Sequence, residues 1–232
     1  MKSKKKIFIA CDTSKIKKIN NIIKFTKTKK INICYKFGLE FFYSKNSRSF
    51  LSNLSKKEKI FLDLKLNDIP NTCSAAIYSL KDLKKIDYIT AHINGGYEML
   101  KAIKDSAKKL NKNIKILGVT VLTSLSQNSL KNIGYKRSVK NLVVHQSKLA
   151  KLAGLDGIVC SAQEAILVKK TCPKMEIVTP GIRLPGNLFN DQKRVVTPKI
   201  AFKNGATSIV IGRSITNGPI KKNLAKLIKS LN

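Results

Sequence analysis

The chain of 232 residues has two histidines, 13 acidic side chains against 46 basic ones, and five cysteines. It has no apolar run of about 18 residues, which argues against a membrane-spanning helix. The opening Met1-Lys2-Ser3-Lys4-Lys5-Lys6 is basic like the start of a signal peptide. The apolar run behind it, Ile7 to Cys11, is cut by Asp12 and is too short for a secretory segment. Cys11, Cys34, Cys73, Cys160 and Cys172 are odd in number and form no C-x-x-C pair. Reduced thiols in a cytoplasm are therefore expected, without a disulfide framework or zinc site. Neither His92 nor His145 has metal-ligand company, and with so few acids no metal centre is expected.

Arginine is scarce as well. Only Arg48, Arg137, Arg183, Arg194 and Arg213 stand among the basic residues, and the formal net charge is +33. Such a charge invites a nucleic-acid reading. The lysines are spread over nearly every helical stretch, however, and accompany abundant Ile and Asn, whose codons are likewise A/T-rich. A coding bias with a solvated lysine surface accounts for the pattern, since distributed lysine is the usual exposed residue. Adventitious polyanion binding at low salt would follow, with no specific nucleic-acid partner.

Short apolar, β-branched runs alternate with longer amphipathic ones. Strands are predicted at Ile7–Cys11, Ile31–Lys36, Ile60–Lys65, Tyr88–Ile93, Ile114–Val121, Gly157–Cys160, Glu176–Thr179 and Ser208–Ile211. Helices are predicted at Ser14–Thr28, Ser74–Lys84, Tyr97–Leu110, Val139–Ala153, Ala162–Thr171 and Pro219–Leu231. This alternation predicts an α/β fold with a parallel sheet. Eight strands suit a closed (β/α)8 TIM barrel in one domain over residues 1–232, with a doubly wound open sheet as the alternative. No linker, repeat or low-complexity tract divides the chain. Polar residues recur where strands end: Asp12, Lys36, Asp63 with Lys65, His92, Thr123, Pro180-Gly181-Ile182-Arg183 and Gly212-Arg213. Active sites of this barrel lie at that end, so the pattern points to an enzyme.

The densest stretch is Phe61-Leu62-Asp63-Leu64-Lys65-Leu66-Asn67-Asp68-Ile69-Pro70-Asn71-Thr72, read as a strand that ends in a turn. Period-two alternation puts Asp63 and Lys65 on one face and Leu62, Leu64 and Leu66 on the other. Burying such charges is costly unless they are paired. A fixed ammonium can stabilise a developing carbanion and then protonate it. Lys65 is the candidate donor, Asp63 its orienting partner, and Lys36 and Asp68 extensions of an alternating charge chain. The bland counterpart is a structural ion-pair network in the barrel mouth. Gly212-Arg213 suits a phosphate, with Arg213 as a bidentate fork and Arg183 beside it. A turn glycine next to a surface arginine is the commoner meaning of that dipeptide. Thr120, Thr123 and Ser124 offer hydroxyls to a ligand or to a turn. Gln192 sits on a surface loop or folds over the site. His92 reads as a hydrogen-bonded structural residue.

Asp-x-Lys-x-x-Asp-Ile-Pro-x-Thr over 63–72 resembles the signature of orotidine 5'-phosphate decarboxylase, in its shorter bacterial form. The resemblance continues in order through Cys11-Asp12, Tyr35–Glu40, Val119–Ser124, Thr179–Arg183, Asn190-Asp191-Gln192 and Val210–Ser214. It implies a (β/α)8 barrel that converts orotidine 5'-phosphate to uridine 5'-phosphate and carbon dioxide, the last step of uridylate synthesis, without a cofactor. It implies Lys65 as proton donor with Asp63, Asp68 and Lys36 in the charge network. Asp12 is implied on the ribose, and Thr123, Arg183, Gln192, Gly212 and Arg213 as nucleotide contacts. A homodimer is implied too, each site taking Asp68, with Thr72 nearby, from the partner chain. Asn67 stands where bacterial members often have His, and Asn94 where they carry a small residue. Two rivals remain. Sugar-phosphate enzymes of the same barrel superfamily share Asp-x-Lys-x-x-Asp but use a divalent metal. A basic RNA-binding protein would bind without turnover.

Overall fold

The computed structural model describes residues 5–54, 58–83, 85–110, 113–184 and 195–231. Eight parallel strands run β1 Lys6–Ala10, β2 Asn32–Phe37, β3 Ile60–Leu66, β4 Tyr88–His92, β5 Lys115–Val119, β6 Gly157–Val159, β7 Glu176–Thr179 and β8 Ser208–Ile211. Each pairs with the next, and β8 returns to β1 through Phe8 opposite Val210, which closes the barrel and excludes the open sheet. All eight strands lie where the sequence predicts them, with ends shifted by at most two residues.

The connecting helices are α1 Ile16–Thr26, α2 Leu39–Phe42, α3 Ser47–Leu54, α4 Pro70–Tyr78, α5 Gly96–Lys109 and α6 Gln127–Asn132. They continue with α7 Val139–Leu152, α8 Ala165–Thr171, α9 Pro198–Lys203, α10 Arg213–Thr216 and α11 Ile220–Leu231. The long ones bury one stripe: Ile19, Ile22, Ile23 and Thr26 on α1, and Leu224, Leu227 and Leu231 on α11. That is the spacing of an amphipathic helix laid on a sheet, with lysines left to the solvent side. Ser126, Ser138 and Thr197 cap α6, α7 and α9 by accepting from the N–H three residues on. The sequence reading passed over α2, α3, α6, α9 and α10, none longer than eight residues.

One reading needs correction. Ile69-Pro70-Asn71-Thr72 is no free turn: Pro70 opens α4, four residues before the predicted start at Ser74. Proline fits the first helical position because its φ is already helical and its missing N–H is not needed there. Cys73 and Ile77 anchor this helix in the core.

Alternation along the strands sorts the core into two layers. Ile7, Ile9, Leu62, Ile89, Ile116, Ile158, Ile177 and Ile209 pack outward against the helices. Phe8, Ala10, Cys34, Phe61, Tyr88, Leu117, Val178 and Val210 fill the barrel itself. Phe8 meets Phe61 and Tyr88 edge-on, at centroid distances of 4.9 and 5.0 Å. This aromatic layer separates a polar cluster at the strands' N-terminal ends from another at their C-terminal ends.

Candidate active site

At the C-terminal mouth lies a cavity of about 600 Å³. Its lining includes Asp12, Lys36, Gly38, Glu40, Asp63, Lys65, Thr123, Pro180, Arg183, Gly212 and Arg213, with an apolar wall of Val119, Val121, Val159 and Val210. The loops that follow different strands thus bring together most of the residues singled out in the sequence.

The charges alternate along a chain. Lys36 Nζ donates to Asp12 Oδ1 at 3.0 Å and lies 3.2 Å from Asp63 Oδ2. Lys65 Nζ lies 3.0 Å from Asp63 Oδ1. Lys36 is 7 % exposed. Burial pulls its pKa down, but Asp63 and Asp12 outweigh that and hold it above the ordinary lysine value. Asp63 shows the mirror image: burial pushes it up, while Lys36 and Lys65 prevail and keep it below the usual carboxylate range. Lys36 and Asp63 are therefore both charged near neutral pH. Gly38 makes this possible at close quarters, because a Cβ there would come within 3.3 Å of Asp12 Oδ1 and 3.5 Å of Lys36 Nζ.

Asp63 and Lys65 both reach the cavity, but not by simple alternation. The β3–β4 register slips between Leu62 and Leu66, and Lys65 has φ of +51°, the left-handed region that side chains rarely adopt. Leu62 is buried in the outer core, with Leu64 and Leu66 half-buried against it. The shared face of the two charged residues is thus reached by a kinked strand.

The other expected residues divide. Arg183 is buried, with Nη1 donating to the Ile182 carbonyl, and it lines the cavity opposite the exposed Arg213. Gly212 fits a close approach, since a Cβ would sit 3.3 Å from Ala10 Cβ. Thr123 lines the cavity, whereas Ser124 is exposed outside it. Thr120 is structural, its hydroxyl bonded to the Val159 carbonyl at 3.0 Å. Asp68 and Thr72 are exposed and stay out of this chain's cavity. Asp68 Oδ1 accepts from the Ile69 N–H at 2.7 Å. Within one chain the alternation therefore ends at Lys65. Gln192 lies outside the described residues. His92, expected to be hydrogen-bonded, leaves Nδ1 without a partner among the described residues. Burial and the nearby Lys65 push its pKa down.

The sequence reading gave no role to Thr90, Glu40 or Gly38. Thr90 is fully buried; it accepts from the Lys65 N–H at 2.9 Å and donates to Asp63 Oδ1 at 3.0 Å. Glu40 accepts from the Ser14 N–H at 3.0 Å and ties down the loop that carries Asp12. The signal for Thr90 was its place two residues before His92 on an inward-facing register of β4. The signals for Glu40 and Gly38 were their places in the segment behind Lys36.

A closed barrel with an ion-paired charge array facing a cavity at the strands' C-terminal ends defines a (β/α)8-barrel enzyme. Residues 5–228 match the model of the orotidine 5'-phosphate decarboxylase / HUMPS family. The chain is 44% identical over 217 residues to an orotidine 5'-phosphate decarboxylase of Carboxydothermus hydrogenoformans, covering 90% of this chain and 88% of that one. It is also 44% identical over 230 residues to one of Wigglesworthia glossinidia brevipalpis, covering 95% and 97%. A crystal structure of orotidine 5'-phosphate decarboxylase from Lactobacillus acidophilus superposes with a TM-score of 0.83 at 31% identity, over 98% of this chain and 99% of that one. The chain belongs to the orotidine 5'-phosphate decarboxylase / HUMPS family and is an enzyme of it.

Proposed function

We propose that this chain decarboxylates orotidine 5'-phosphate to uridine 5'-phosphate in pyrimidine biosynthesis, with Lys65 as the proton donor. The observation that carries the reading is the Asp12–Lys36–Asp63–Lys65 array, with its last ammonium at the cavity. The bond between C6 and the carboxylate breaks, carbon dioxide leaves, and the electron pair stays on C6. The fixed ammonium stabilises that carbanion and hands it a proton, and the neutral amine regains one from water. Asp63, held ionised, orients the ammonium and faces the departing carboxylate. Asp12 serves the ribose. Arg213, Gly212 and Arg183 take the phosphate, and Thr123 with the valine wall takes the base. Gln192 adds a further contact in this reading. Phosphate binding far from the breaking bond holds the pyrimidine against Lys65.

The reading includes a homodimer in which Asp68 of the partner subunit completes the charge alternation beyond Lys65, with Thr72 alongside. Its support is the exposure of Asp68, Thr72 and the apolar Ile69, which is 65 % accessible in the single chain. A cytoplasmic setting agrees with the absence of disulfides among the five cysteines, all of them buried thiols. No helix among the described residues is long and apolar enough to cross a membrane.

The test is the ultraviolet absorbance change of orotidine 5'-phosphate with purified protein and excess chelator. Conversion by wild type and none by Lys65→Ala is expected. No conversion by the folded wild-type protein would favour the metal-dependent sugar-phosphate enzymes, tested next with added magnesium, and normal turnover in Lys65→Ala would remove Lys65 as donor.

A further inference from the structure

We infer that Thr90 is a positioning residue for this chemistry, an inference that rests on Lys65 being the proton donor. Where the β3–β4 ladder slips, the Lys65 N–H bonds to a side chain, Thr90 Oγ1, at 2.9 Å. An amide N–H can only donate, so the hydroxyl accepts there. Its own proton goes to Asp63 Oδ1 at 3.0 Å, because an ionised carboxylate can only accept. Asp63 Oδ1 is also the oxygen that lies 3.0 Å from Lys65 Nζ. One oxygen atom therefore fixes the main chain of the donor and the carboxylate that orients the donor's side chain.

The placement matters because of the backbone it holds. A lysine at φ of +51° is strained and relaxes unless its surroundings over-determine it. Return to an extended conformation would re-aim the side chain, since one residue of slip exchanges the two faces of a strand. Thr90 is fully buried and does not line the cavity, so it acts through Lys65 and Asp63 rather than on the substrate. Valine fills the same space without either hydrogen bond and leaves the Lys65 N–H without its acceptor.

Wild type, Thr90→Val and Thr90→Ser are compared for turnover of orotidine 5'-phosphate, for affinity toward uridine 5'-phosphate, and for Tm. The kcat of Thr90→Val is expected to fall about 10²-fold, the scale of a misplacement of about 1 Å, with KM and product affinity little changed. Thr90→Ser, which keeps the hydroxyl, is expected to restore most of kcat. Unimpaired kcat in Thr90→Val overturns the inference while leaving the decarboxylase reading intact. Equal loss in Thr90→Val and Thr90→Ser, tracking a lowered Tm, reduces Thr90 to packing and also overturns it. If Thr90→Val does not fold, Thr90→Cys takes its place, similar in size but a weak donor and acceptor. No conversion by the wild-type protein itself sinks the reading beneath the inference, and the inference with it.

Discussion

The two ends of this barrel hold ion-pair networks of similar content, each around a largely buried carboxylate, yet they differ in the space beside them. At the N-terminal end, Lys6, Tyr88, Lys115, Glu176 and Ser208 are the first residues of their strands. Glu176 is the hub. Lys6 lies at 2.6 Å, Ser208 Oγ at 2.9 Å and Lys115 at 3.2 Å, with the Tyr88 hydroxyl also bonded to it. Burial pushes Glu176 up, but Lys6, Lys115 and Ser208 prevail and hold its pKa down. Above it the Phe8, Phe61 and Tyr88 rings pack against one another, and none of the Glu176 network lines the cavity at the other end. At the C-terminal end the charges alternate instead of converging, the strand is kinked at Lys65, and a cavity opens beside it. A buried ion-pair network is therefore not a sign of function in itself. An adjoining cavity and a main chain held out of its relaxed conformation make the difference.

The largest expected effect breaks the upper network. Lys65→Ala should lower kcat by about 10³-fold or more while uridine 5'-phosphate still binds, as isothermal titration would show. If turnover and binding fell together, the site would have collapsed rather than lost a donor. Next comes the partner's share of that network. Asp68→Ala and Lys65→Ala, each nearly inactive alone, should recover roughly a quarter of wild-type activity when unfolded together and refolded, because half the dimers are hybrids with one intact site each. A mixture that stays inactive removes Asp68 from the shared site. Arg213→Ala should raise KM about 10- to 100-fold with kcat less affected, the loss of one charge-assisted contact to phosphate. An unchanged KM would take Arg213 out of the phosphate site.

The smallest effect on activity belongs to the lower network. Glu176→Gln should lower stability by about 1 to 3 kcal/mol in urea denaturation and leave kcat unchanged. Its sign with pH is fixed. A carboxylate whose folded pKa is depressed contributes stability that is complete above its unfolded value. That stability is lost as pH falls through the folded one. Wild-type stability should therefore fall in acid below about pH 4.5, and less steeply in Glu176→Gln. A large loss of kcat in this variant would blur the division between the two ends.

Much of this was legible before any coordinates. The eight strands are short β-branched runs whose period and spacing survive in one dimension, and the residues at their ends gather because parallel strands end on one side. Asp12, Lys36, Asp63, Lys65, Thr123, Arg183, Gly212 and Arg213 line one cavity, while Asp68 and Thr72 stay outside it. The helix that begins at Pro70 was misjudged because proline looks like a stop when it also suits a start. Thr90 was passed over because its inward-facing place on β4 does not by itself show what it bonds to. Its meaning depends on a slip between two strands that no single strand announces.

The sequence by itself determined the barrel's periodicity, the lysine-covered exterior and the identity of the charged residues, because those follow from local pattern and composition. Tertiary structure decided which charges face a cavity and which converge on Glu176 at the opposite end. It also decided the left-handed turn at Lys65 and the pairing of Thr90 with both Lys65 and Asp63. Those depend on contacts between residues 24 to 170 positions apart, which become neighbours only when the barrel closes.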